Sequence, residues 1–422
     1  MGRLKWLYPG MRVKRWIALI IIGSFGIAVG AAVLLNLPWM STVEQRLLKW
    51  FGGSHSLLYG TGLVLIGLAC IAVGIRCGLN SVIRAIKPEL ASDLATEVFK
   101  QRNLEKGPNI VVIGGGTGLS TMLRGLKHYS GNITAIVTVT DNGGSSGRIR
   151  DELGILPPGD IRNTLVAMAD TEPLMEKLFQ YRFSWGEGLK GHSFGNLFLA
   201  AMADITGDFE KSIQEFSKVL AVRGKVIPST LETVQLKARY KDGGEVEGET
   251  SIPQPGRAID RVFLSPEYAP ALPDALAAIA AADLIVLGPG SLFTSVIPNL
   301  LVDPIVDALA KAEAPRVYVC NVMTQPGETD GFSAADHVEA LLKHADNRRI
   351  IDVVLVNRAP ISSWQAQKYA EQNAYPVEVD EERLAAMGLE VVGSDLIDHT
   401  DLVRHNSIRL AEALMGILDA RK

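Results

Sequence analysis

Asn109-Ile110-Val111-Val112-Ile113-Gly114-Gly115-Gly116-Thr117-Gly118 runs directly into Leu119-Ser120-Thr121-Met122-Leu123-Arg124-Gly125-Leu126. The first five residues are apolar and β-branched after Asn109, the pattern of a strand buried on both faces. The glycines form a tight turn, and the Leu/Met-rich segment after them reads as a helix. Strand, glycine turn and helix in that order aim backbone N–H groups and the positive helix end at a phosphate. Glycine suits the turn because a Cβ would block both the bend and the approach of a ligand. The spacing departs from G-x-G-x-x-G, since Leu119 takes the last glycine position, and the absence of Gly-Lys-Ser/Thr excludes a Walker A loop.

A second strand is expected at Ile133–Thr140, where Thr alternates with Ile and Val, ending in Asp141-Asn142-Gly143-Gly144-Ser145-Ser146-Gly147-Arg148. Asp141 stands where a Rossmann acidic residue would meet a ribose. The loop also offers the Ser145 and Ser146 hydroxyls and the Arg148 fork, which suits a phosphate. Pro157-Pro158-Gly159-Asp160-Ile161-Arg162-Asn163 turns into another helix, with Asp160 either its N-cap or a ligand-facing carboxylate. Gly191-His192-Ser193-Phe194-Gly195-Asn196 opens an Ala/Leu-rich helix and sets His192 either structurally or facing a cleft. Alternation at Val234, Leu236 and Ala238, with a turn at Asp242-Gly243-Gly244, predicts a small β-rich insertion over about 228–263.

The logic of the first turn returns in Asp283-Leu284-Ile285-Val286-Leu287-Gly288-Pro289-Gly290-Ser291-Leu292-Phe293-Thr294-Ser295, with Ser291 placed to cap a helix. Two such turns in one parallel sheet could face each other across a switch point, where ligands bind. Strands at Arg316–Cys320 and Asp352–Val356, ended by Asn321 and Asn357, continue the alternation. The fold class expected is Rossmann-like α/β, a mostly parallel sheet with the small β insertion, preceded by two transmembrane helices.

The chain has 422 residues, 47% of them hydrophobic, a formal charge of -4 and three cysteines, which excludes a disordered chain and a disulfide scaffold. Residues 1–106 carry 13 Lys+Arg against 5 Asp+Glu; the remainder carries 29 against 41. The acidic remainder is a poor nucleic-acid binder. No formal charge interrupts Trp16–Val43 or Trp50–Ile75, and each stretch is long enough to cross a bilayer. Spans are expected at 16–37 and 56–75, with Trp6, Trp16, Trp39, Trp50 and Tyr59 as interfacial anchors. Arg3, Lys5, Arg12, Lys14 and Arg15 precede the first span, while Arg76, Arg84 and Lys87 come after the second. That bias places both ends and the large domain in the cytoplasm. Cys70, Cys77 and Cys320 read as small buried side chains. The expected organisation is a membrane hairpin at 1–78, an amphipathic connecting helix at 79–106 marked by Leu94, Val98 and Phe99, and the main domain from Gly107-Pro108 to 422.

Taken together, Gly-Gly-Gly-Thr-Gly (114–118), Thr-Asp-Asn-Gly-Gly-Ser-Ser-Gly-Arg (140–148), Pro-Pro-Gly-Asp-Ile-Arg-Asn (157–163), Gly-His-Ser-Phe-Gly-Asn (191–196) and Gly-Pro-Gly-Ser-Leu-Phe-Thr-Ser-Val (288–296) resemble the gluconeogenesis factor family, the YvcK group of CofD-like proteins. The resemblance covers roughly residues 108–417. Familiar members are soluble, so the hairpin is expected to be a departure of this chain. The resemblance implies a domain that binds a nucleotide sugar of the UDP-N-acetylglucosamine type and acts in cell shape and wall synthesis on gluconeogenic carbon sources. Its CofD branch implies instead a magnesium-dependent transferase of a phospholactyl-type group from a guanosine diphosphate donor to a deazaflavin alcohol.

Three functions are open to these residues. A UDP-sugar-binding regulator would hold diphosphate on Gly115, Gly116, Thr117 and Gly118 and on Gly288, Gly290 and Ser291, with Asp141 and Asn142 on a sugar or base and Ser145, Ser146, Arg148, His192 and Asn196 around it. A transferase would use Asp141, with a magnesium ion and Arg148, to neutralise a leaving diphosphate. A nicotinamide dehydrogenase is disfavoured by the missing third glycine and by the second phosphate turn. A homo-oligomer and a cell-wall or metabolic protein partner are expected; nucleic acid is not.

Overall fold

The computed structural model describes residues 13–35, 56–86, 94–170, 173–254, 256–398 and 402–421. The chain divides into two compact units, Met1–Gln101 and Arg102–Lys422.

In the first unit, helices Lys14–Leu34 and Ser56–Ile86 are long and apolar enough to cross a membrane, with mean hydropathies of 2.6 and, over Leu57–Val82, 2.2. They pack through glycines spaced by sevens, Gly23 and Gly30 on one helix and Gly60, Gly67 and Gly74 on the other. A Cβ on Gly23 would stand 2.7 Å from the Gly67 carbonyl oxygen, and one on Gly30 would stand 2.8 Å from that of Gly60. Small residues let helix backbones approach in this way, which is how apolar helices gain packing without water to drive them together. Leu37, Trp39 and Trp50 lie outside the described residues, as do Trp6, Arg3, Lys5, Arg12 and Lys87.

Of the single connecting helix expected over 79–106, residues 87–93 lie outside the described residues, and the described parts belong to two helices. The second apolar helix continues to Ile86. A separate helix spans Leu94–Glu105, with Val98 and Phe99 exposed. The division between units falls inside that helix rather than at Gly107-Pro108. Its last turn is tied to the second unit, where the Gly131 amide donates to Leu104 O (2.8 Å) and the Asn132 carboxamide donates to Glu105 O (3.0 Å).

Among the described residues the second unit holds ten strands: β1 Ile110–Gly114, β2 Ile133–Val137, β3 Lys225–Pro228, β4 Gln235–Tyr240, β5 Glu245–Glu247, β6 Ile259–Ser265, β7 Leu284–Leu287, β8 Arg316–Val319, β9 Val353–Asn357 and β10 Glu390–Ser394. Seven form a parallel sheet in the order β10-β9-β8-β7-β1-β2-β3. The chain leaves β1 toward β2 and later returns to the other side of β1 as β7, so the switch point lies between those two strands. Every residue of β1, β7 and β8 is buried, as strands covered on both faces require. The antiparallel sheet β5-β4-β6 confirms the β-rich insertion and extends it to Ser265.

β2 stops at Val137 rather than Thr140 because β1 ends at Gly114, the partner of Val137, and offers no further ladder. Thr138 and Thr140 instead pair their hydroxyls at 3.0 Å. Helix Gly116–Leu126 lies against helix Ser407–Asp419 so closely that a Cβ on Gly125 would sit 1.8 Å from Ser407 O. Backbone cannot yield as a flexible side chain can. Gly125→Ala is therefore expected to lower unfolding stability by about 2–3 kcal/mol, at the upper end of overpacking costs. Equilibrium denaturation checks this; an unchanged midpoint would mean that the two helices separate freely.

Candidate functional site

The site is the carboxyl edge of the sheet at the β1/β7 switch point. Gly115 is extended and caps helix Gly116–Leu126, and Gly116 takes a φ of +68°, open to glycine and strained for other residues. The two glycine turns meet there. A Cβ on Gly118 would stand 2.6 Å from Pro289 O, and one on Gly290 would stand 3.2 Å from Gly115 O. Thr117 is exposed beside them, on the first helical turn.

After β7 the chain does not enter an α-helix directly. Ser291 occupies the cap position, but its side chain makes no cap hydrogen bond, and Leu292–Val296 forms a π-helical turn. The amides of Ser295 and Val296 both donate to Ser291 O. Asn299 braces the arrangement from beneath, donating to Gly114 O (3.3 Å) and Ser295 O (2.9 Å).

Four carboxyl groups converge on this edge. Asp141 Oδ1 accepts the Gly143 amide at 2.8 Å in a turn of its own making. Asp160 is not an N-cap; it lies inside helix Gly159–Met168, whose cap residue is Pro158, and its side chain faces the first glycine turn. A Cβ on Gly115 would stand 2.6 Å from Asp160 Oδ2. Burial, reinforced by Asp141, pushes Asp160 up to about 7, although a hydrogen bond from the Gly116 amide opposes the shift. Burial likewise pushes Glu328 up to about 7 while it accepts from Thr294 Oγ1 (3.1 Å), the Phe293 amide (3.3 Å) and Gln325 Nε2 (2.9 Å). Glu249, from the insertion, is raised by burial and by Asp141, Asp160 and Glu328 together.

The remaining residues expected at the site divide by task. The Asn142 carboxamide oxygen accepts the Thr250 amide (3.0 Å) and hydroxyl (3.1 Å), so it pins the insertion against the Asp141 loop. Ser145, Ser146, His192 and Asn196 form a buried knot. Ser145 Oγ lies 3.1 Å from His192 Nδ1, and Asn196 Nδ2 donates to Ser145 Oγ (3.1 Å) and Ser146 Oγ (3.3 Å). Burial lowers the His192 pKa, which favours the neutral ring. Arg148 is exposed and donates to Lys190 O at 2.9 Å. Gly288, at φ +76°, completes the second turn. Among the described residues, no group of three or more potential ligands gathers at metal-binding distance.

Sequence reasoning missed Glu249 and Glu328. Glu249 sits among other acids in a surface-like hairpin, and Glu328 in a Gln325-Pro-Gly-Glu-Thr turn; neither has a local pattern that marks it. It also missed Arg162, which is buried and donates to Ser193 Oγ and Asn163 Oδ1.

Comparison with known proteins agrees with this architecture. The profile of the family described as 2-phospho-L-lactate transferase CofD matches residues 110–397. The gluconeogenesis factor of Bacillus subtilis is 54% identical over 312 residues, which is 74% of this chain and 98% of that protein. Relatives from Nostoc sp. (48% identity) and Clostridium acetobutylicum (45%) match over 97% and 99% of this chain and 91% and 92% of their own length. Those two matches include the first hundred residues, so the N-terminal segment is not a departure of this chain; relatives exist in a long and a short form. A crystal structure of a UPF0052 family protein from Bacillus halodurans superposes with a TM-score of 0.71 at 52% identity, covering 73% of this chain and 99% of that one. With the profile matched across the parallel sheet and relatives this similar over nearly their full length, the chain belongs to the gluconeogenesis factor family of CofD-like proteins.

Proposed function

We propose that the second unit binds a nucleoside diphosphate sugar of the UDP-N-acetylglucosamine type and acts as a regulator rather than an enzyme. The observation that carries this reading is the meeting of two glycine turns at the switch point. Backbone N–H groups at the start of helix Gly116–Leu126 and around Gly290 are brought together for one diphosphate, with the Ser295 side chain beside both turns. The polar residues near Asp141 suit sugar hydroxyls. The name that relatives carry, gluconeogenesis factor, supports a role in growth on gluconeogenic carbon sources, and the proposal extends that role to cell shape and cell-wall synthesis. On this reading the protein works as a homo-oligomer and changes the activity of a cell-wall or metabolic protein when the sugar nucleotide is bound.

The carboxyl cluster favours a second reading, a CofD-like transferase, which the matched family profile also supports. Its oxygen donors have the right chemistry for magnesium, which commonly takes one or two carboxylates together with substrate phosphates and water. Asp141 and Asp160 would hold the ion, and its charge would offset that of a leaving diphosphate.

The first unit would anchor the protein in the cytoplasmic membrane through two spans, with the large unit on the cytoplasmic side. Lys14 and Arg15 at the start of the first apolar helix and Arg76 within the second support that orientation.

Three measurements test these proposals. In calorimetric titration of the full-length protein in detergent, UDP-N-acetylglucosamine is expected to bind in the presence of a chelator and to be recovered intact after long incubation with magnesium. Release of GMP from a guanosine diphosphate donor, lost in Asp141→Asn, would establish the transferase instead. The second measurement uses pH. Asp160 and Glu328 hold protons below about pH 7 in the folded protein and ionise above it. Each ionisation puts negative charge before the diphosphate, so affinity in chelator should fall roughly tenfold from pH 6 to 8.5, and Asp160→Asn should flatten that slope. Stability changes in the same direction, because a carboxyl raised by burial favours the folded state fully below its unfolded value and loses that contribution as pH climbs through about 7. A slope identical in wild type and Asp160→Asn would place the diphosphate elsewhere. For orientation, protease added outside sealed spheroplasts should leave the large unit intact; its digestion would reverse the topology.

A further inference from the structure

We propose that a second cavity on the same sheet edge, beyond the end of β8 and β9, is the nucleobase slot of this site. The cavity measures about 370 Å³ and is lined by the apolar Val322, Val356, Ala366 and Val379, by the charged Arg358 and Glu378, and by Asn321 and Asn357 near the strand ends. That volume lies in the range of small-molecule sites and exceeds what one heteroaromatic ring needs. This inference rests on the diphosphate cradle proposed above and gives the ligand a direction along it.

The slot is joined to the cradle by one side chain. Asn321 Nδ2 donates to Gly290 O at 2.8 Å, so the residue that ends β8 also fixes the second glycine turn. Its carboxamide oxygen is left for the ligand at the junction of base and diphosphate. The slot is also built in advance. The Val377 amide donates to Val322 O (3.0 Å), the Thr324 amide to Tyr375 O (2.7 Å), and the Ala334 amide to Glu378 O (2.7 Å), which hold the strap Tyr375–Val379 over it. Asn357 is spent on structure, since its side chain bonds Ala359 and receives the Leu396 amide.

Polarity decides which half of the ligand lies here. A hexose presents hydroxyls around its ring, and each needs a partner once it leaves water. A nucleobase has apolar faces and hydrogen-bonds only at its edge. The β8/β9 slot sets valine and alanine side chains for the faces of a base and Arg358 and Glu378 for its edge, whereas the far side of the cradle carries the carboxyl groups of Asp141, Asp160 and Glu249. The base therefore belongs at β8/β9 and the sugar at the Asp141 loop, which assigns Asp141 to the sugar rather than the base.

The experiment compares UDP-N-acetylglucosamine with N-acetylglucosamine 1-phosphate, which lacks the nucleoside, on full-length protein in detergent. Ala366→Phe and Val379→Phe fill the slot, and Asn321→Ala removes the junction carboxamide without adding bulk. The filled variants should lose at least about tenfold in affinity for the UDP-sugar, the equivalent of about 1.4 kcal/mol, while affinity for the sugar phosphate stays within about twofold. Asn321→Ala should also weaken the UDP-sugar more than the sugar phosphate. Thermal melting of each variant checks folding, and Asn321→Ala decides the matter if the filled variants melt early. Unchanged UDP-sugar binding in folded variants, or equal loss for both ligands, would overturn the slot while leaving the cradle standing. Failure of wild type to bind either ligand would remove the cradle and the slot with it.

Discussion

The second unit is organised by a backbone-to-backbone contact between two turns that are far apart in sequence. Gly118 lies over Pro289 at a distance that leaves no room for a Cβ, and Gly290 lies against Gly115 where a Cβ would be tight. Parallel pairing of β1 with β7 puts the two turns at the same height, because Ile113 is opposite Leu287 in the register. This contact brings main chain from both turns to one place on the sheet edge. Main chain presents N–H groups at fixed positions and loses no side-chain entropy when it binds, the economy that helix-terminus phosphate sites share.

The electrostatics of the cleft pull in opposite directions. The helix starting at Gly116 sets partial positive charge on the edge. Asp141, Asp160, Glu249 and Glu328 set carboxyl groups around it, and burial raises the pKa values of the last three. Such a site can admit an anion by keeping protons on its acids or by holding a cation among them. Those two routes correspond to the two readings proposed above, binding alone and magnesium-assisted transfer.

The β insertion does more than decorate the sheet. Through Asn142 and Thr250 it is stitched to the Asp141 loop, and through Glu249 it adds a carboxyl to the edge. A substitution in the insertion therefore reaches the cleft by two physical routes, one steric and one electrostatic. The Ser145–His192–Asn196 knot does comparable work on the opposite side by locking the start of helix Phe194–Thr206 to that of helix Gly144–Leu153.

By itself the sequence determined the central strands, both glycine turns, the antiparallel insertion and the two apolar helices, because each arises from local periodicity or from the special backbone freedom of glycine. It did not show β3 or β10: the first is an edge strand of four residues, whose buried run is too short to stand out and ends in Pro228, and the second is half-exposed. It misjudged the reach of β2, since a strand's end depends on where its partner stops. The heptad-spaced glycines of the apolar helices were in plain view, but only the packed pair shows that they face one another. Tertiary structure alone decided that Asp160 turns toward the first glycine turn, that Asn142 serves the insertion, and that Glu249 and Glu328 arrive beside Asp141 from segments roughly 110 and 190 residues away along the chain. Proton affinity and ligand access depend on neighbours and burial, and those are set by pairing register and loop closure over distances that no local pattern encodes.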